Sequence, residues 1–263
     1  MTPSTSPDLA LAELTRLLHR SPSFVAGSCV AAQTYGKPDG WSDLDIFVPT
    51  EQVLISTIQT LLDNGYVLHD RFDRVWHRWL RYGMKGWHTN SMRMQSPQGI
   101  ETNVVYKIVD GHATTTLAQV LESFDFGLLG MGYDMETGTF RDLRGYLFPN
   151  MDPNGPLPLM PNKRDAWRNG FISQYNGIRE AGRYTKYFRY GYDLSLVEDD
   201  LVHGYRMVAS YHMSSFDSDK HVLSEIYSVL ADRIEDHAVD ELEEFYASVD
   251  YKDPLEQMLE ALE

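Results

Sequence analysis

Two aspartates two residues apart, Asp43 and Asp45 in Ser42-Asp43-Leu44-Asp45-Ile46-Phe47-Val48, are the residues of this chain best spaced to do chemistry. The segment reads as a strand, and alternate side chains of a strand share a face, so both carboxylates point the same way. Like charges that close repel unless something positive sits between them. A divalent metal is the usual answer, and hard oxygen ligands select Mg²⁺ or Mn²⁺. Upstream, Phe24-Val25-Ala26 runs into Gly27-Ser28, which would open a helix whose free N–H groups can hold a phosphate. A phosphate-binding turn and a metal-binding carboxylate pair are together what nucleotidyl transfer needs. An isolated Asp-X-Asp also reads as a solvated strand edge; joined to Gly-Ser, it reads as a site.

This combination, apolar-Gly-Ser, a linker and then Asp-apolar-Asp-apolar, resembles the nucleotidyltransferase fold of the DNA polymerase β superfamily. The linker, Cys29 to Ser42, is slightly longer than that family usually shows. The resemblance implies an α+β fold: a nucleotidyltransferase-type mixed β-sheet flanked by helices, followed by a C-terminal helical domain. It implies transfer of a nucleoside monophosphate from an NTP to an acceptor hydroxyl by two-metal chemistry with Mg²⁺ or Mn²⁺. Asp43 and Asp45 would bridge the ions. A third carboxylate from a later strand is normal in the superfamily, and Glu101 in Ile100-Glu101-Thr102-Asn103-Val104-Val105 is its natural candidate. Asn103 lies on the same face and is the alternative, since some relatives open this strand with asparagine. Gly27, Ser28 and Ser42 fall to nucleotide binding.

Elements that must position these residues follow from caps and periodicity. Ser6-Pro7 starts a helix reaching about Arg20, with Leu9, Leu11, Leu14, Leu17 and Leu18 at helical spacing. Thr50 caps a second helix from Glu51 to Asn64, stopped by Gly65. Tyr66-Val67-Leu68-His69 reads as a strand. Trp87–Gln95 and Ile100–Val109 read as a hairpin around Ser96-Pro97-Gln98-Gly99. A short helix, Thr116 to Glu122, leads into Ser123-Phe124-Asp125-Phe126, with Tyr133-Asp134 beyond. That Phe-Asp-Phe…Tyr-Asp segment resembles a nucleotidyltransferase branch found in phages and large viruses, where it continues the sheet. Asp125 is either a functional acid or a buried structural cap.

Prolines 149, 153, 156, 158 and 161 mark a stiff connection, giving a catalytic domain over 1–160 and a helical domain over 161–263. Arg183-Tyr184-Thr185-Lys186-Tyr187-Phe188-Arg189 resembles an Arg-x-x-Lys-Tyr-x-x-Arg element of the same branch, differing from it by Tyr190 before Gly191. There Arg183, Lys186 and Arg189 would meet the triphosphate; their plain alternative is a basic helix face.

Charge and composition bound the partners. The net charge is −15, but Asp232 to Glu263 alone holds twelve acids against two bases. Arg71 to Arg93 carries six bases against Asp73, and Asn162 to Tyr190 seven bases against Asp165 and Glu180. The acidity therefore does not exclude a phosphate-rich partner. Between Arg71 and Tyr82 basic and aromatic residues interleave, a pattern that grips phosphates and stacks bases, or else buries tryptophans and solvates arginines. An RNA end, such as a tRNA 3′ terminus, is the leading acceptor; a protein hydroxyl, a small polycation such as an aminoglycoside, and an inactive nucleotide-binding module are the alternatives. No apolar run is long enough to span a membrane, and the one cysteine, Cys29, suits a reducing cytoplasm. Histidine spacing fits no zinc motif, and neither a Walker-type lysine loop nor a Gly-x-Ser-x-Gly elbow is present.

Overall fold

The computed structural model describes residues 5–68, 88–109, 112–168, 183–184, 186–201 and 203. Helix α1 (Pro7–Leu17) begins where the Leu9 N–H donates to Ser6 Oγ at 3.4 Å, with Pro7 in the first turn where no N–H is needed. It ends three residues before Arg20, which takes a left-handed backbone at φ 65° and so cannot continue it. Strand β1 (Phe24–Ala26) leads to helix α2 (Ser28–Thr34), strand β2 (Asp43–Val48) and helix α3 (Glu51–Asp63). Thr50 Oγ1 caps α3 by accepting the Val53 N–H at 3.2 Å.

Strands β3 (Val67–Leu68), β4 (His88–Gln95), β5 (Glu101–Val109) and β6 (His112–Ala113) follow. The β4–β5 turn is closed by the Ser96 N–H on Ile100 O at 2.8 Å, with Gly99 at φ 80°. Helix α4 (Leu117–Glu122) precedes a single 3₁₀ turn at Gly127–Leu129, strands β7 (Met131–Asp134) and β8 (Thr139–Asp142), and helices α5 (Arg144–Leu147) and α6 (Pro161–Arg168).

Among the described residues the strands form one sheet in the order β3-β4-β5-β2-β1-β7-β8, with β6 added on β5. Only β2 and β5 run parallel; every other pairing is antiparallel. Antiparallel neighbours can be joined by short turns, whereas a parallel pair needs a long connection, and the one between β2 and β5 includes α3, β3 and β4. The class is α+β, with a mixed sheet flanked by helices. Strand β7 extends the sheet past β1.

Period-two burial divides β2 into two faces. Leu44, Ile46 and Val48 are buried in a core with Val25, Met92, Met94 and Val104, together with Leu11 and Leu14 of α1, Val30 of α2 and Leu54, Ile58 and Leu61 of α3. Complete burial of one such side chain is worth roughly 1.5–3 kcal/mol, so a one-residue slip that exchanged the faces would be prohibitive. Asp43 and Asp45 are thereby held on the opposite face.

By its contacts the chain forms two units. In described residues, the first comprises everything to Ser123 together with Met131–Leu143, and so holds the whole sheet. The second comprises Phe124–Gly130 and the residues from Arg144 onward. This division falls at Arg144, ahead of the 160/161 boundary read from the prolines, and assigns Phe124–Gly130 to the second unit. Backbone pairing is the reason: the Gly127 N–H donates to Pro158 O at 2.9 Å, the Met160 N–H to Asp125 O at 2.8 Å, and Phe126 bridges Leu159.

Among the described residues beyond 160, helix is present at 161–168, 183–184, 186–189, 195–201 and 203. The basic-aromatic stretch Arg71–Tyr82, the part of the expected helical domain beyond residue 203 and the acidic tail lie outside the described residues. No helix among the described residues is long and apolar enough to cross a membrane.

Candidate active site

Register brings the chemistry together. Asp43 pairs with Glu101 and Asp45 with Asn103 across the parallel β2–β5 ladder, so all four side chains stand on one face. The Asn103 amide bridges the aspartates: Nδ2 donates to Asp43 Oδ2 and to Asp45 Oδ1, both at 3.0 Å. Ser42 Oγ donates to Asp43 Oδ1 at 2.6 Å, and Ser28 Oγ to the same oxygen at 3.3 Å. Hydrogen bonds donated to a carboxylate are strongest when it is ionised, so this arrangement of donors suits a pair of carboxylates.

Glu101 is placed differently. Its Oε1 lies 3.0 Å from Arg93 Nε, on strand β4, and both side chains are partly exposed. The group brought to both aspartates is therefore Asn103. Sequence periodicity could not separate the two, because residues 101 and 103 share a face; the signal lay in the arginine across the hairpin. Among the described residues no group of three or more His, Cys, Asp or Glu side chains is placed to hold a metal ion.

The turn before α2 is shaped around Asp45. Gly27 sits at φ 97°, a conformation that residues with a Cβ rarely adopt, and a Cβ there would lie 2.8 Å from Asp45 Oδ2. Glycine is required twice over. Ser28 is buried with its hydroxyl committed to Asp43, so a phosphate approaching this turn would meet backbone N–H groups. Helix α2 is itself pinned at its far end. Gln33 Nε2 donates to Asp8 Oδ1 at 2.8 Å, and the Tyr133 hydroxyl donates to Gln33 Oε1 at 2.9 Å. The loop into β2 is fixed by Trp41, fully buried, whose Nε1 donates to Pro38 O at 3.1 Å.

Cys29 follows Ser28 but is inert. Burial first, and then the negative Asp43 and Asp45, push its thiol well above the ordinary range. A thiol kept protonated is neither nucleophile nor metal ligand at neutral pH.

The remaining expected residues lie in the second unit. Asp125 is buried there and forms ion pairs with Lys163, at 3.4 Å, and with Arg183. Lys186 lies over the Tyr187 ring at 5.9 Å from its centre, and Arg189 is exposed on the same helical segment.

Among oxygen-donor sites, the Asp43–Asp45 pair has the hard ligands that Mg²⁺ or Mn²⁺ prefers, and the Asn103 carboxamide offers a further oxygen on rotation of its amide. The residues fit a divalent cation by their chemistry.

No protein-family model matches the chain, and no curated protein matches it. Six chains of solved structures do. One is a Thermotoga maritima CCA-adding enzyme complexed with tRNA_CCA, at 15% identity and a TM-score of 0.47, over 75% of this chain and 42% of that chain. The chain thus spans less than half the length of that enzyme.

Proposed function

We propose that the protein is a metal-dependent nucleotidyltransferase that moves a nucleoside monophosphate from an NTP to an acceptor hydroxyl. One observation carries this reading: Asp43 and Asp45 stand side by side on the polar face of β2, against a positive-φ glycine that leaves the carboxylate room. In the reaction the acceptor oxygen forms a bond to the α-phosphorus, the bond from that phosphorus to the α–β bridging oxygen breaks, and pyrophosphate leaves carrying that oxygen. The hydroxyl proton passes to solvent or a nearby carboxylate.

Asp43 and Asp45 would hold Mg²⁺ or Mn²⁺, which when bound supplies positive charge at the triphosphate and acidifies the acceptor hydroxyl. The residues themselves do the rest. Ser28 and Ser42 orient Asp43, Asn103 keeps both carboxylates aimed to one place, and the Gly27 turn lets a phosphate approach the backbone. Arg183, Lys186 and Arg189 remain candidates for triphosphate contact on the sequence pattern alone.

An RNA end is the acceptor we favour, supported by the basic-aromatic alternation from Arg71 to Tyr82. A second reading, a nucleotide-binding module without catalysis, draws on Asn103, because a carboxamide cannot take a proton from an acceptor hydroxyl as a third carboxylate would.

The two readings separate in one assay. Wild type and the Asp43→Ala/Asp45→Ala double variant are incubated with each α-labelled NTP, Mg²⁺ or Mn²⁺, and either total RNA or lysate protein, and the products are sized on a gel. Label entering RNA with wild type alone supports the proposal. Label in polypeptide would reassign the acceptor, and nucleotide binding without product would favour the module.

A further inference from the structure

The hairpin beside the carboxylates carries a second polar feature that the transfer reading does not use. Strand β4 turns Met92 and Met94 into the core, so Ser91, Arg93 and Gln95 fall on the face that bears Asp43 and Asp45. Arg93 pairs across the ladder with Asn103, the residue whose amide bridges the aspartates. Its strand lies two positions from β2, about 10 Å at the usual interstrand spacing, within reach of a long side chain. Glu101 Oε1 lies 3.0 Å from Arg93 Nε, and a guanidinium carries further N–H donors on its terminal nitrogens.

Sheet order supplies the direction. Gly27 follows β1, on one flank of β2, and Arg93 stands on β4, on the other flank. A triphosphate at the Gly27 turn and a phosphate at Arg93 would approach the carboxylates from opposite sides. We propose that Arg93 binds a backbone phosphate of the acceptor strand, and that Glu101 is its positioning residue and not a metal ligand. The cation held by Glu101 presents a planar donor fork, suited to a phosphodiester, on the flank of β2 opposite the Gly27 turn. This inference rests on the nucleotidyl-transfer reading for its geometry but has a readout of its own.

The test uses the full chain and a short fluorescein-labelled single-stranded oligoribonucleotide, with binding followed by polarisation over a range of salt. Arg93→Ala is expected to weaken binding roughly five- to tenfold at low salt and to reduce the slope of log affinity against log salt by about 0.7. Arg93→Lys keeps the charge, and so the slope, but loses part of the affinity. Glu101→Ala weakens binding in the wild-type background and has no further effect beside Arg93→Ala, while Mn²⁺ binding followed by electron paramagnetic resonance is unchanged.

Three results would overturn the inference: wild type that does not bind the oligonucleotide, Arg93→Ala that weakens NTP binding instead of oligonucleotide binding, or Glu101→Ala that abolishes Mn²⁺ binding. Transfer from α-labelled NTP is followed in the same preparations. Arg93-dependent RNA binding without any transfer defeats the transfer reading alone, and transfer without Arg93-dependent binding defeats this inference alone.

Discussion

An amide donates to two carboxylates at the centre of this site, and that arrangement can be tested residue by residue. Each hydrogen bond from Asn103 to an aspartate is charge-assisted and worth about 1.5–3 kcal/mol where it is shielded from water. Asn103→Ala is therefore expected to lower the melting temperature in EDTA, with Mg²⁺ or Mn²⁺ restoring more stability than it adds to wild type. Asn103→Asp should melt lower still in EDTA and gain most from Mn²⁺, since it adds a third negative ligand. Thermal melts with and without metal check both, and equal metal effects in all three proteins would contradict the account. Gly27→Ala forces a Cβ against Asp45 Oδ2 in a strained conformation, so a loss of about 1–3 kcal/mol in urea unfolding is expected, together with weaker Mn²⁺ binding. Cys29, with its thiol held protonated by burial and two nearby carboxylates, should resist a disulfide reagent at pH 8 in the native protein and react at once in urea.

At the scale of elements, local chemistry decided what could be read. The Thr116 cap is a full capping box: the Gln119 N–H donates to Thr116 Oγ1 at 3.3 Å, and the Thr116 N–H donates to Gln119 Oε1 at 3.1 Å. Thr116→Ala should cost about 1 kcal/mol by denaturant unfolding, and Gln119→Ala little more when added to it. Thr116 reads from the sequence as part of that helix and not as its cap, whereas the Ser96–Gly99 hairpin, the Thr50 cap and the alternation of β2 were legible, because each depends on residues a few positions apart. The parallel pairing of β2 with β5 joins residues about sixty positions apart and leaves no local mark. Period two put Glu101 and Asn103 on one face, which the register shares with Asp43 and Asp45, and could go no further. Which of them meets the aspartates depends on the register and on Arg93 claiming Glu101, both properties of the assembled sheet. The proline run likewise signalled an irregular connection, but not the return of Phe124–Gly130 to pair with it.

For the molecule as a whole, the second unit has its own ionic centre. Asp125, 3% exposed at its side chain, is shared by Lys163 and Arg183, and this favours the structural reading of that acid. Removing a buried partner of an ion pair costs several kcal/mol, discounted here because Arg183 is 41% exposed, so Asp125→Ala should destabilise by about 2 kcal/mol. Hydrogen exchange should quicken at residues 124–130 and 186–201 and stay unchanged in β1, β2 and β5.

Nucleotidyl transfer is the central claim, and it differs from phosphoryl transfer in which phosphorus the acceptor attacks. The most direct measurement compares one NTP labelled at the α position with the same NTP labelled at the γ position, in the presence of Mg²⁺ and total RNA. The account predicts that α label becomes attached to the acceptor and γ label appears only in pyrophosphate, with both lost in Asp43→Ala/Asp45→Ala. Transfer of γ label to the acceptor, or α-label transfer that survives the double substitution, would contradict it.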